Sequence, residues 1–170
     1  DIWGPGAGAL IRQMSWPEFI GGNVRNALEL INHVESLDIN LACGTVASAV
    51  AYKAIFLAEI GDFKQATRSM WKSNHIMSRC QKRSQENAFQ LYYLVLGKAM
   101  IASAKGDMET ALSLFYQALE MYNKVISTEA GFKNLFRDGH ETFVKSNIAR
   151  TLVTLNRLNE AEIWIREALS

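Results

Sequence analysis

The residues that could perform chemistry are few and lie far apart along the chain. The histidines are His33, His75 and His140, and the cysteines are Cys43 and Cys80. His75 and Cys80 are five residues apart, so they share no single helix face, and no CxxC pair exists. Nothing in the local sequence would activate either cysteine as a nucleophile. These residues therefore predict neither a metal site nor a catalytic centre.

Other catalytic motifs are also missing from the sequence. The glycine-rich segment GPGAGAL, from Gly4 to Leu10, lacks the spacing of a dinucleotide-binding loop and the Lys-Ser/Thr of a phosphate-binding loop. Glu160 and Glu162 are two residues apart, so on a helix they point to different faces. We therefore predict that the protein is not an enzyme and has no cofactor.

One region has a strong local charge, although the net charge of the chain is only +1. No acidic residue lies between Asp62 and Glu86, a region with six basic residues. Four of these fall close to one side of a helix and are called the basic stripe: Arg68, Lys72, Arg79 and Arg83. We expect their side chains to be exposed and not paired with buried acids. A solvated outer face is the simplest interpretation; an acidic protein partner or a neighbouring domain comes next, and nucleic acid is less favoured.

The elements that carry these residues are predicted to be helical. Both prolines precede Glu18, so the rest of the chain permits long helices, and the alternating apolar pattern of strands is missing. The 170 residues fit one domain, and no apolar run is long enough to cross a membrane. Two cysteines without a disulfide pattern favour a reducing, cytoplasmic compartment. The chain begins without Met and stops within a helical pattern, which predicts a fragment of a longer protein.

A repeated pattern supplies most of the fold prediction. In GDMETALSLFYQALEMY, from Gly106 to Tyr122, a Gly-Asp turn is followed by Ala111, Phe115 and Ala118 at helical spacing. Small residues on one stripe let a second helix approach closely, and the phenylalanine fills the gap between them. The pattern recurs after Gly61, after Asn156 and, more faintly, after Gly22. We expect Ala66, Ala111 and Ala161 to be buried.

Before each of the last three turns lies another long segment of apolar residues at helical spacing. The predicted unit is therefore an antiparallel pair of helices joined by a tight turn. After a linker or short helix at residues 1–14, a single domain over residues 15–170 would contain four such units, at 15–38, 42–83, 84–127 and 132–169. Stacked pairs bury a continuous core that one pair could not bury.

This pattern resembles the tetratricopeptide repeat, with Leu96, Gly97, Gly106, Asp107, Ala111, Phe115 and Ala118 as its best copy. The units are longer than the family's usual repeat of about 34 residues. The resemblance implies an all-α, right-handed superhelical stack of about four hairpins, the first helix of each lining a concave groove. An ordinary helical bundle whose Ala/Leu pattern imitates a repeat is the alternative.

The resemblance also implies a function and a set of binding residues. In this family the groove binds peptides or helices of partner proteins, so we predict a protein-interaction scaffold, the sensory or adaptor arm of a larger protein. Carried over position by position, the groove residues are Ser48, Tyr52, Ile55, Glu59, Tyr93, Met100, Ser103, Phe143, Asn147, Arg150 and Thr154. The family's chaperone-binding members clamp a C-terminal carboxylate, but Gly97 occupies a position where the clamp needs a side chain. A hydrophobic or amphipathic segment is therefore the better expectation.

Three further functional hypotheses remain open at this stage. Residues 64–83 could bind a polyanion or nucleic acid, and a pocket between Tyr52, Tyr93 and Met100 could hold a small ligand. The last helix carries more apolar surface than one neighbouring hairpin should cover. We therefore expect part of that edge, chiefly Trp164, to be covered by a second copy of the chain, by the N-terminal Ile2-Trp3 segment of a neighbour or by a further repeat.

Overall fold

The computed structural model describes residues 14–36, 39–79, 86–128 and 137–169, and this part of the chain is all-α, with no strand. Arg83, Cys80 and the glycine-rich segment at residues 4–10 lie outside the described residues, as does the side chain of Cys43. Eight helices are present in the described ranges: α1 (14–20), α2 (Val24–Glu35), α3 (Ile39–Glu59), α4 (Phe63–Arg79), α5 (Glu86–Ala104), α6 (Met108–Thr128), α7 (Arg137–Thr154) and α8 (Leu158–Leu169).

The turn at Gly61 shows how a short sequence ends one helix and begins the next. The amide of Gly61 donates to the carbonyl of Ala58 at 3.1 Å, and the amide of Asp62 donates to that of Leu57 at 2.9 Å. This pair of bonds requires a left-handed residue, and Gly61 has a φ of 82°. The Asp62 carboxylate then accepts a hydrogen bond from the amide of Gln65 at 3.1 Å and caps α4.

The same turn occurs four times. Gly22, Gly106 and Asn156 have φ values of 83°, 82° and 58°, and each turn makes the same two backbone hydrogen bonds as the one at Gly61. The alanine five residues after each turn position is almost completely buried, with exposures of 0–2% at Ala27, Ala66, Ala111 and Ala161. The predictions for the turns and for the buried alanines are confirmed.

Helices joined by these turns pack as antiparallel pairs. Ser73, late in α4, donates to the carbonyl of Ala47, early in α3, at 2.6 Å. Lys145, early in α7, pairs with Glu167, near the end of α8, at 3.2 Å. The turns at Gly61 and Asn156 therefore reverse the direction of the chain, as predicted from the repeat.

The first helices of the last three pairs, α3, α5 and α7, are called the inner helices, and their partners α4, α6 and α8 the outer helices. Every side chain from Val46 to Ala58 in α3 is buried except that of Lys53. The outer helix α4 buries only one stripe, which ends at Ile76. None of the described helices combines the length and apolar character that a membrane span requires.

Close packing between α4 and α5 explains why residue 97 is a glycine. A side-chain carbon at Gly97 would lie 1.9 Å from the terminal methyl of Met70, so the glycine makes room for that methionine. Phe115 is fully buried, as expected for the residue that fills the gap beside Ala111 and Ala118. Small residues at these positions set how closely the helices approach.

Candidate binding cleft between the inner helices

The short helix α1 packs across two inner helices. The indole of Trp16 stacks on the imidazole of His140 with ring centroids 4.2 Å apart and lies 5.3 Å from the ring of Tyr52. Phe19 stacks on Phe56 at 4.4 Å. Since His140 belongs to α7 and Tyr52 to α3, α1 joins the second and fourth hairpins. Its two aromatic side chains fill the space between α3 and α7.

A hydrogen-bonded cluster next to Trp16 connects side chains of the three inner helices. The hydroxyl of Tyr52 donates to that of Tyr93 at 2.9 Å and lies 3.1 Å from Nε2 of His140. Tyr52 and Tyr93 are only 1% exposed, so a small ligand has no open path to the space between them in this structure. The predicted small-ligand pocket coincides with this closely packed interior.

The predicted groove residues divide into two sets by burial. Six are buried and expose at most 4% of their surface: Ser48, Tyr52, Ile55, Tyr93, Met100 and Asn147. Five remain at least partly accessible: Glu59, Ser103, Phe143, Arg150 and Thr154. Their role in binding stays a prediction, and it now concerns mainly the second set.

Four of the five accessible residues line one cleft of about 340 Å³, which we call the inner cleft. It lies where the carboxyl ends of α3, α5 and α7 meet. Its wall is completed by the predicted groove residue Met100 and by residues that the repeat analysis did not select. These are Ala58, Ala104 and Thr151 near the ends of the inner helices, and Gly61, Phe63 and Met108 in the turns or at the start of the outer helices. For the last three, their position beside a predicted turn was the available signal.

Arg150 is the principal polar group of the inner cleft. Its guanidinium donates to Oδ1 of Asn147 at 2.6 Å and pairs with Glu59 of α3 at 3.4 Å, while its side chain stays 55% exposed. Nδ2 of Asn147 donates to the carbonyl of Phe143 at 2.8 Å. The amide of Asn147 is therefore used within the protein, and Arg150 is the one cationic side chain that lines the cleft.

The basic stripe lies on the outer face of α4, and one of its members departs from expectation. Arg68, Lys72 and Arg79 are exposed, as predicted. The prediction that none pairs with a buried acid is wrong for Lys72, whose ammonium bonds to the half-buried Glu35 of α2. Glu35 also pairs with Lys53 at 2.8 Å. Lysines of two helices converge there because the end of α2 faces both α3 and α4.

The histidines occupy three different environments. His140 is buried in the aromatic cluster, His75 is exposed and stacks on Trp71, and His33 is exposed on α2. In the described ranges, no three His, Cys, Asp or Glu side chains lie close enough together to hold a metal ion.

No protein-family model matches the chain, and no curated protein matches its sequence.

Proposed function

We propose that this protein is a helical-repeat module of the tetratricopeptide type that binds a segment of a partner protein at the inner cleft. Four turns with one geometry, each followed by a buried alanine, support a stack of equivalent hairpins. On this proposal the hairpins follow one another in a right-handed superhelix. The module is the sensory or adaptor arm of a larger protein and performs no catalysis.

The observation that carries the proposal is the exposed guanidinium of Arg150 beside an apolar wall. Met100, Met108 and Phe63 line the same cleft and favour an apolar side chain, while Arg150 favours a carboxylate. Glu59 already neutralises part of the arginine charge, so the site suits one acidic residue better than a phosphate cluster. The preferred ligand is therefore a short amphipathic segment with an apolar residue next to an acidic one.

Selection from a peptide display library against the purified protein tests this proposal. We expect enriched sequences to pair an apolar with an acidic residue. Ser103→Trp, which fills the cleft, should abolish their binding, and Arg150→Gln should weaken it at least about tenfold, as expected for a central charged anchor. Arg166→Gln on α8, which also removes an exposed arginine, is the matched control. Enriched peptides that bind Ser103→Trp as tightly as the parent protein would contradict the proposal.

A small ligand at the inner cleft is the second candidate, favoured by its volume. Sites for small molecules begin at about 300 Å³, close to the 340 Å³ seen here. A fragment library observed by NMR distinguishes the two functions. Fragments that bind at Ser103 and Arg150 while no peptide is enriched would favour a small-ligand sensor.

A further inference from the structure

A second cleft lies on the opposite side of the hairpins, between α4, α5 and α6. Its volume is about 450 Å³, and we call it the outer cleft. Apolar side chains from all three helices line it: Met70, Trp71, Ile101, Ala102 and Leu114. Polar and charged side chains complete the lining: Thr67, Asn74, Lys98, Lys105, Asp107 and Thr110. None of these residues was selected for the inner cleft.

Trp71 is the most unusual residue of the outer cleft. Its side chain is 68% exposed, although its neighbour Met70 belongs to the buried stripe of α4. The indole is held by stacking on His75, with the rings 5.3 Å apart and nearly parallel. An exposed tryptophan beside an apolar cleft is characteristic of a binding hot spot, because its large surface gains most from being covered.

The charges around the outer cleft are mainly positive. Lys98 and Lys105 belong to the lining and are exposed. Arg68 and Arg79 share the face of α4 that carries Trp71, because helical spacing places all three on one side. Among the ion pairs that the described residues form, none involves these four basic side chains.

Asp107 is the one acidic residue of the lining. Its carboxylate accepts a hydrogen bond from the amide of Thr110 at 3.3 Å and so belongs to the cap of α6. A carboxylate in the wall of the outer cleft would repel the phosphate backbone of a nucleic acid, but a peptide can bind beside it. The apolar floor likewise favours a side chain of a protein over a nucleic acid, and the net charge of +1 is small for a nucleic-acid interface.

We propose that the outer cleft binds an acidic amphipathic helix of a partner protein. An apolar residue of that helix enters the cleft against Met70 and Leu114 and covers the indole of Trp71. Acidic residues on either side of it pair with Lys98 and Lys105 at one edge and with Arg68 at the other. The inference goes beyond the inner cleft and does not depend on it, because the two sites share no lining residue.

A panel of synthetic helical peptides tests the proposal. Each peptide carries one central Leu, Phe or Trp, with either Glu or Lys at the flanking positions, and a poly-dT oligonucleotide represents nucleic acid. The readout is the indole N–H signal of Trp71 in NMR spectra, assigned by its loss in Trp71→Phe. We expect Glu-flanked peptides to shift this signal and Lys-flanked peptides to leave it unchanged.

Matched variants then locate the contact. Binding to these variants is measured by fluorescence anisotropy of labelled peptides, because Trp71→Ala has no indole signal. Trp71→Ala should weaken binding of the Glu-flanked peptides at least about tenfold. Lys98→Glu combined with Lys105→Glu should weaken it further and reduce its salt dependence. Arg166→Glu on α8 is the charge-reversal control and should have no effect. All of these side chains are exposed, so the variants should keep the parent's circular dichroism spectrum.

Two results would overturn the proposal. One is that no Glu-flanked peptide shifts the signal of Trp71. The other is that poly-dT shifts it more strongly than any peptide and dissociates steeply as salt rises, which would make the surface a nucleic-acid site.

Discussion

Two neighbouring tyrosines of α5 have different hydrogen-bonding environments. The hydroxyl of Tyr93 accepts a bond from Tyr52, whereas that of Tyr92 is buried and has no hydrogen-bond partner among the described residues. Burial, reinforced by the nearby Tyr93 and Tyr122, raises the pKa of Tyr92 well above its ordinary value. Tyr92 is therefore neutral near physiological pH, and its hydroxyl carries a desolvation cost.

Replacing each tyrosine by phenylalanine should change stability in opposite directions. Tyr92→Phe removes an unsatisfied hydroxyl and should raise the free energy of unfolding by about 1 kcal/mol, whereas Tyr93→Phe removes the acceptor for Tyr52 and should lower it by about 1 kcal/mol. Urea unfolding monitored by circular dichroism measures both, and each variant is the control for the other. Equal losses in the two variants would show that Tyr92 has a partner after all.

The carboxylate of Glu35 should make stability depend on pH. Partial burial acts to raise the pKa of Glu35, but hydrogen bonds from Lys53 and Lys72 outweigh it and hold the pKa below the ordinary value of 4.5. A lowered folded-state pKa adds stability above pH 4.5, and this is lost as the pH falls through the folded-state value. The melting temperature of the parent should therefore exceed that of Glu35→Gln by a constant amount near neutral pH, and the difference should disappear in acid.

Glu29→Gln is the control for this experiment, because it replaces an exposed carboxylate of the same helix. The interpretation fails if the two glutamine variants show the same pH dependence relative to the parent.

At the scale of the elements, the four helix pairs share one turn geometry. Their positions carry Gly three times and Asn once, all with positive φ. Nothing lies within 4 Å of a side-chain carbon built at Gly106, so a substitution there tests backbone conformation without a steric clash. The turn at Gly106 can therefore be compared directly with the one at Asn156.

Gly106→Ala should lower the free energy of unfolding by about 1–2 kcal/mol, the cost of a left-handed conformation for a residue with a β-carbon. Gly106→Asn should cost clearly less, because asparagine tolerates this conformation and already adopts it in the fourth turn. Chemical denaturation of the two variants beside the parent gives the comparison. Equal destabilisation would mean that left-handed geometry does not limit the turn.

At the scale of the whole molecule, α8 presents an exposed apolar face. Trp164, expected to need a covering partner, is half-buried and packs against Tyr116 of α6 at 5.5 Å. The exposed apolar residues of α8 include Ile163 at 60%, Ile165 at 46% and Leu169 at 84%. In stacked repeats, such side chains are covered by a neighbouring helix.

We therefore predict weak self-association through α8. The average mass from light scattering should rise with concentration, and Ile163→Gln combined with Leu169→Gln should suppress the rise without lowering the melting temperature. Trp164→Gln should lower the melting temperature, because it removes a contact within the fold. A mass independent of concentration, equal in the parent and the double variant, would exclude association through this face.

Local sequence alone was enough to predict the helices and the turns. Gly61 and Gly106 were recognisable because few other residues adopt positive φ without strain, and Asp62 because its side chain caps the helix that follows. The buried alanines followed from their fixed distance to those turns. Each of these features depends on residues within a few positions of one another. Structure that is set by such local contacts can be predicted directly from a sequence pattern.

The site depended on contacts that no local pattern contains. Tyr52 meets His140 across 88 positions of sequence, and Glu59 meets Arg150 across 91. Whether such residues touch depends on the angle between successive hairpins, and small differences in that angle add up along long helices. For this reason the tertiary structure decided that Trp16 fills the space between α3 and α7, that six predicted groove residues are interior, and that the accessible cleft lies at the carboxyl ends of the inner helices.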